Sequence, residues 1–194
     1  DFTESIFRDM IKNTHDIVDL ASNIDIKFDY HLPTVDIPSN IADKTDDYKT
    51  QCFMYMMEKI KEHGRWREDP EYKERFEKEI DVIMNNSTIS FVPYFLLYED
   101  MCSYARSVGI FLGEGRGSAG GSLLSYYLKI IQIDPIEANL PFERFLSHAR
   151  IHGGSFPDID GDFSNRPPLI KYLMDKYGLG FAQITTIQRM KTKN

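Results

Sequence analysis

Ile110-Phe111-Leu112-Gly113-Glu114-Gly115-Arg116-Gly117-Ser118-Ala119-Gly120-Gly121-Ser122-Leu123-Leu124 is the stretch on which the fold reading turns. Three apolar residues of strand type run into a glycine-rich turn, and Leu123, Leu124, Tyr127 and Leu128 then recur at helical spacing. A strand, a turn and a helix in that order predict a mixed α+β fold. Glycines let a backbone approach a ligand closely, and the first amides of a following helix attract anions. Arg116 adds a planar cationic fork suited to phosphate, and Ser118 adds a hydroxyl donor. A triphosphate or another phosphate ester therefore suits Gly115, Arg116, Gly117 and Ser118. No Gly-Lys-Ser/Thr follows, so the turn is not a P-loop. Gly115 to Gly120 also matches G-x-G-x-x-G, with Asp134 placed where a ribose-binding acid would stand. Within this window, dinucleotide binding and a turn that merely permits tight packing both stay open.

Downstream, Phe156-Pro157-Asp158-Ile159-Asp160-Gly161-Asp162-Phe163 reads as a second strand. In an extended chain, residues two apart face the same side, so Asp158 and Asp160 project together and Asp162 comes next. Neighbouring carboxylates repel unless a cation or proton lies between them. Such oxygen donors suit Mg²⁺, which takes its remaining ligands from water and substrate phosphate. An aspartate pair with a phosphate-gripping turn is a minimal kit for metal-assisted phosphoryl transfer. An EF-hand is excluded, because Phe163 and Leu169 stand where its Gly and Glu would be. A solvent-facing edge strand is the bland alternative.

The rest of the chain reads mainly as helix in its first half. Ile6, Phe7, Met10, Ile11, Ile17, Val18 and Ala21 keep helical spacing, and Ile24 to Phe28 looks extended. Asp47 to His63 predicts a helix with Cys52, Phe53, Met56, Met57 and Ile60 inward and Gly64 as its stop. Asp69-Pro70-Glu71 opens another, with Tyr72, Phe76, Ile80, Ile83 and Met84 as its apolar stripe. The charges from Arg65 to Lys78 read as a solvated face. Phe91 to Ser107 predicts a buried helix ending at Gly109, and Pro167-Pro168 opens a last one, with Leu169, Ile170, Leu173, Met174 and Tyr177 apolar. Phe181 to Ile187 looks strand-like. The five histidines read as core or surface residues; His148 and His152 are four apart, but Gly153-Gly154 argue against a helix there.

The length of 194 residues is enough for one core, and no apolar run is long enough for a membrane span. Cys52 and Cys102 are too few for a disulfide framework and suit a reducing cytoplasm. Taken as a total, a net charge of −7 speaks against nucleic acid. Its distribution removes that objection. Residues 1–100 carry 22 acidic and 12 basic side chains, whereas residues 101–194 carry 8 acidic and 11 basic. The half that carries the motifs is the basic one.

Gly115-Arg116-Gly117-Ser118, then Leu140-Pro141-Phe142-Glu143-Arg144-Phe145-Leu146, then Pro157-Asp158-Ile159-Asp160-Gly161-Asp162-Phe163 occur in that order. Together they resemble the C-family of replicative DNA polymerases, that of the alpha subunit of bacterial DNA polymerase III. Ala182-Gln183-Ile184-Thr185-Thr186 downstream is similar too, as are Asn13-Thr14, Leu32-Pro33 and Pro93-Tyr94-Phe95-Leu96 upstream. The resemblance implies a polymerase β-like nucleotidyltransferase palm, here partial over residues 91–194, preceded by a helical linking segment over residues 1–90. It implies template-directed DNA synthesis from dNTPs on primer–template DNA in a bacterial or phage-infected cytoplasm. Gly115, Arg116, Gly117 and Ser118 would bind the triphosphate, and Arg144 a phosphate or the primer. Asp158 and Asp160 would be catalytic metal ligands for two Mg²⁺ ions. The third catalytic acid, the fingers and other polymerase domains or subunits would lie elsewhere, so the chain is expected to be an incomplete, inactive piece by itself. A nucleotide- or partner-binding module without catalysis, or another β-like nucleotidyltransferase, is the alternative.

Overall fold

A computed structural model describes residues 2–22, 24, 32–85 and 90–183. The described residues form eight α-helices: α1 (Phe2–Ser22), α2 (Ser39–Ala42), α3 (Tyr48–His63), α4 (Pro70–Met84), α5 (Val92–Ser107), α6 (Leu123–Tyr127), α7 (His148–His152) and α8 (Arg166–Tyr177). Three short 3-10 helices lie at Ser118–Gly121, Phe142–Arg144 and Gly178–Gly180. The chain divides into two compact units, residues 1–31 and 32–194. The first contains α1, an amphipathic helix as its periodicity predicts. No helix among the described residues is long and apolar enough to cross a membrane.

Within the second unit, local signals account for most helix ends. The Asp47 carboxylate accepts from Thr50 N at 2.9 Å at the start of α3, and Gly64 closes that helix with φ 67°. Pro70 opens α4, but Asp69 makes no side-chain cap; it pairs instead with Arg67 at 3.4 Å. Cys52, Met56 and Ile60 of α3 and Tyr72, Phe76 and Ile83 of α4 are buried. They meet Phe91, Phe95, Leu123, Leu124 and Tyr127 in a single core that runs across residue 90. Cys102 is a buried core thiol, and burial raises its pKa to about 12. A smaller cluster joins Met101, Ala105 and Ile110 to Leu169 of α8.

The expected α+β palm is not what the described residues form. They contain no sheet. Ile110–Leu112 and Phe156–Phe163 form no strand and are joined by an isolated antiparallel bridge between Leu112 and Phe163. Helices cover the apolar residues of these segments, so neighbouring strands are not required: Ile110, Leu112 and Phe163 pack with Met101, Ala105, Tyr98 and Leu169. A run of apolar residues bounded by turns looks alike whether helices or strands bury it. At the other two strand readings only Ile24 and Phe181–Gln183 are described; the remainder of each lies outside the described residues.

One smaller reading also changes. His148–His152 is a one-turn helix, because Ser147 caps it by accepting from Arg150 N at 3.3 Å and Gly153 only ends it. His148 pairs with Asp81 at 3.0 Å. On α8, whose opening by Pro167-Pro168 was expected, Leu169 is buried and Met174 is exposed.

Between α3 and α5, Glu99 is buried and accepts from His63 Nε2 at 2.9 Å and from Ser103 Oγ. Burial raises its pKa, but those donors and Lys59 outweigh it, so the carboxyl titrates below its ordinary value. A depressed folded value gives stability above the unfolded pKa of about 4.3, lost as pH falls through the folded one. Glu99→Gln is therefore expected to cost less at about pH 3.5 than at about pH 6. Urea denaturation of parent and variant at both pH values measures the difference.

Candidate functional site

The Leu112–Phe163 bridge sets the site. Beside it Gly113 N donates to Asp162 O at 2.9 Å, Ser164 N to Phe111 O at 3.0 Å, and Phe111 N to Ser164 Oγ at 3.0 Å. These bonds bring the start of the glycine-rich turn against the segment that carries the aspartates. In that segment Pro157 and Ile159 are buried while Asp158 and Asp160 are exposed. The alternation expected of an extended chain is therefore present locally, without a sheet. Ile159 N donates to Tyr94 Oη at 3.2 Å, which fixes the segment on α5. Burial raises the pKa of Tyr94 and Tyr98, and the charges of Asp158 and Asp160 add to it.

Gly117 is the point of closest approach. Its φ of 67° and ψ of −162° suit glycine alone, and an added Cβ would fall 2.1 Å from Asp160 Oδ2. Gly115, Arg116, Gly117 and Ser118 are all exposed, and Ser118 begins the 3-10 helix. Among the described residues, the amides of Gly115, Arg116 and Gly117 have no partner within the chain. Arg116 pairs with Asp162 at 2.8 Å, and that bond, with the charges of Asp162 and Asp160, raises its pKa. Arg144 is exposed on the 3-10 helix Phe142–Arg144, which packs on the 3-10 helix Ser118–Gly121. The structure thus brings Asp160 and Asp162 against the turn, carries Asp158 exposed on the same segment two residues before Asp160, and leaves Arg144 on another element.

The anion expected at the helix after the turn is already there, and it is the protein's own. Glu79 is completely buried; it accepts from Leu123 N at 2.8 Å, Leu124 N at 3.1 Å and Ser122 Oγ at 3.0 Å. Arg75 Nε reaches the same carboxylate at 2.8 Å. A phosphate at this turn would therefore use the exposed amides and Arg116, not the start of α6. Asp134, the acid that a dinucleotide site would use, is buried; it accepts from Ile136 N at 2.9 Å and from Tyr72 Oη at 2.8 Å. It holds a turn, and no sheet accompanies it.

The solvated face expected from Arg65 to Lys78 is present at Arg67, Glu68, Asp69, Glu71, Lys73, Glu74, Glu77 and Lys78, which are exposed, and Arg65 and Arg75 are its exceptions. Arg65 donates to Tyr126 O at 2.9 Å and Ile131 O at 2.7 Å, and Arg75 donates to Gly121 O at 2.6 Å and Leu140 O at 2.9 Å. These guanidinium groups brace backbone carbonyls around the turn. A periodicity signal for the missed Glu79 exists, since it falls between Phe76 and Ile83 on the apolar stripe of α4.

Gly121 is excluded from carrying a side chain by a backbone: an added Cβ would lie 2.6 Å from Pro141 O. Gly121→Ala is expected to lower stability by about 1–3 kcal/mol through overpacking. Urea denaturation of the variant beside the parent checks it.

As metal ligands, Asp158 and Asp160 offer hard oxygen donors on the same side of one segment. Among the described residues no three His, Cys, Asp or Glu side chains converge as a metal-binding group. Two carboxylates still match what Mg²⁺ commonly takes from a protein when substrate phosphate and water complete its shell.

Residues 50–194 match the family model described as bacterial DNA polymerase III alpha NTPase domain. The chain is 40% identical over 168 residues to DNA polymerase III subunit alpha of Aquifex aeolicus (strain VF5), covering 84% of this chain and 14% of that protein. It is 48% identical over 126 residues to the subunit of the same name from Helicobacter pylori (strain ATCC 700392 / 26695), covering 63% and 10%. It is 49% identical over 125 residues to that of Mycobacterium tuberculosis (strain ATCC 25618 / H37Rv), again 63% and 10%. The chain spans between a tenth and a seventh of the length of these relatives. It belongs to the bacterial DNA polymerase III alpha NTPase domain family.

Proposed function

We propose that this chain supplies the nucleotide-gripping turn and two metal-binding aspartates of a template-directed DNA polymerase. The primer 3′ hydroxyl would attack the α-phosphorus of a dNTP on primer–template DNA, and pyrophosphate would leave. The observation that carries this reading is the approach of Gly117 to Asp160. It sets a turn with free amides beside the segment that carries both carboxylates, where a triphosphate would contact turn and metal alike. Arg116 and the amides of Gly115 to Gly117 would hold phosphate oxygens, with Ser118 as a further donor. Asp158 and Asp160 would hold two Mg²⁺ ions, which when bound favour the ionised hydroxyl and neutralise the leaving group. The chain's own contribution is positioning and charge, and no side-chain nucleophile takes part. Arg144, one element away, would meet a phosphate or the primer. Other parts of the polymerase would supply the remaining DNA contacts, and the work would be done in the cytoplasm. Primer extension by the complete polymerase subunit carrying Asp158→Asn and Asp160→Asn tests the assignment, and parent-like activity removes it.

A further inference from the structure

Arg75 and Glu79 are one turn apart on α4, and both face inward: Glu79 is completely buried and Arg75 mostly so. Their partners are not scattered through the core. Glu79 takes Ser122 Oγ, Leu123 N and Leu124 N, while Arg75 takes Gly121 O and Leu140 O. Gly121 ends the 3-10 helix that Ser118 begins, and Leu140 leads into the segment that bears Arg144. The opposite end of the turn is fixed separately, because Gly113 N donates to Asp162 O at 2.9 Å and Gln132 N to Glu114 O at 2.6 Å. Gly115 to Ser118 are therefore suspended between two anchored ends, and α4 provides the anchor at the downstream end.

We propose that the buried Arg75–Glu79 pair is a positioning device for the nucleotide site: it fixes the Ser118–Gly121 helix, and so Gly117 and Ser118, relative to Asp160, and holds the Arg144 segment in the same register. This rests on the dNTP-binding reading above. Its physical basis is that a ligand-gripping turn gains affinity when its conformation is set before the ligand arrives. Glu79 and the groups that donate to it are buried and Arg75 is mostly so, and the geometry is held by strong, directional bonds. The exposed amides of Gly115, Arg116 and Gly117 are left free for the ligand.

The test uses the complete polymerase subunit. Arg75→Lys keeps the charge beside Glu79 but loses the planar fork that reaches both Gly121 O and Leu140 O. Glu79→Gln keeps the shape and removes the charge. Steady-state extension is measured against dNTP and, separately, against primer–template DNA, with melting curves to fix the folded fraction. At either substitution KM for dNTP is expected to rise about fivefold or more, with KM for DNA within about twofold. A purely structural role would lower the active fraction and kcat and leave KM for dNTP at the parent value. An unchanged KM for dNTP in Arg75→Lys overturns the proposal, whatever happens at Glu79. The Asp158→Asn/Asp160→Asn protein is assayed alongside. If it extends primers like the parent, the nucleotide-site reading itself falls. If it is inactive while Arg75→Lys keeps the parent KM, only the positioning role falls.

Discussion

Replacing Asp158 and Asp160 by asparagine in the complete polymerase should lower primer extension by about a thousandfold or more, while the melting transition stays within about 1 kcal/mol of the parent. The two halves of this expectation have separate origins. Asparagine has nearly the shape of aspartate, and both side chains are exposed, so packing is undisturbed. The segment is held by groups the substitutions leave alone, namely buried Pro157 and Ile159, the Ile159 N–Tyr94 bond and the Leu112–Phe163 bridge. Activity has no such reserve. Transition-state charge stabilisation by bound metal amounts to several kcal/mol, and each 1.36 kcal/mol is about tenfold in rate. An amide oxygen carries no charge with which to hold the ion. Melting and extension measured on the same preparation separate the two effects: an inactive protein that has also lost its melting transition would leave folding as the explanation. A stable but inactive one assigns the loss to the site. The prediction also bears on the family relationship, which the sequence match establishes for the chain without fixing the chemistry of any single residue.

Much of this arrangement could be read from the sequence where the signals are local. Gly64 stops α3, Pro70 starts α4, and the proline pair lies in the first turn of α8; each is a property of a few adjacent residues. The juxtaposition of Asp158 and Asp160 depended only on two-residue periodicity, which any extended chain has. The fold class failed because a strand needs a partner, and the sequence of one segment does not say whether helices or strands will cover it. Ile110 and Leu112 are covered by α5 and α8. Within the charge run, which is otherwise exposed as expected, Arg65 and Arg75 escaped for a related reason. Arg65 and Arg75 bond backbone carbonyls 46 to 66 residues away, and separation of that kind leaves no local trace. Glu79 was different. Tyr72, Phe76, Glu79 and Ile83 are spaced four, three and four, so a carboxylate sits in register with the apolar stripe. A charge at a core position must find partners on folding, and this one finds them in the backbone next to the nucleotide turn.

That placement makes Glu79→Ala the substitution expected to cost most in stability, about 3–5 kcal/mol. Burial raises the pKa of Glu79, and the amides of Leu123 and Leu124 together with Arg75 stabilise its ionised form against that push. Alanine removes the carboxylate but none of the groups it satisfied. Arg75 loses its charge partner, and Ser122 Oγ, Leu123 N and Leu124 N lose their acceptor. A buried donor left unpaired costs about 1–3 kcal/mol. Adding Arg75→Ala to Glu79→Ala distinguishes this ion pair from the usual kind. Many buried pairs can be replaced together by apolar residues at little cost, because each ion mainly satisfies the other. Here each ion also serves the backbone. The double variant would relieve the unpaired guanidinium but still leave two amides without an acceptor and Gly121 O and Leu140 O without a donor. It should therefore remain destabilised by about 2 kcal/mol or more. Urea denaturation of the parent, both single variants and the double variant closes the cycle. A double variant as stable as the parent would show that the two side chains serve only each other, and that α4 has no hold on the turn.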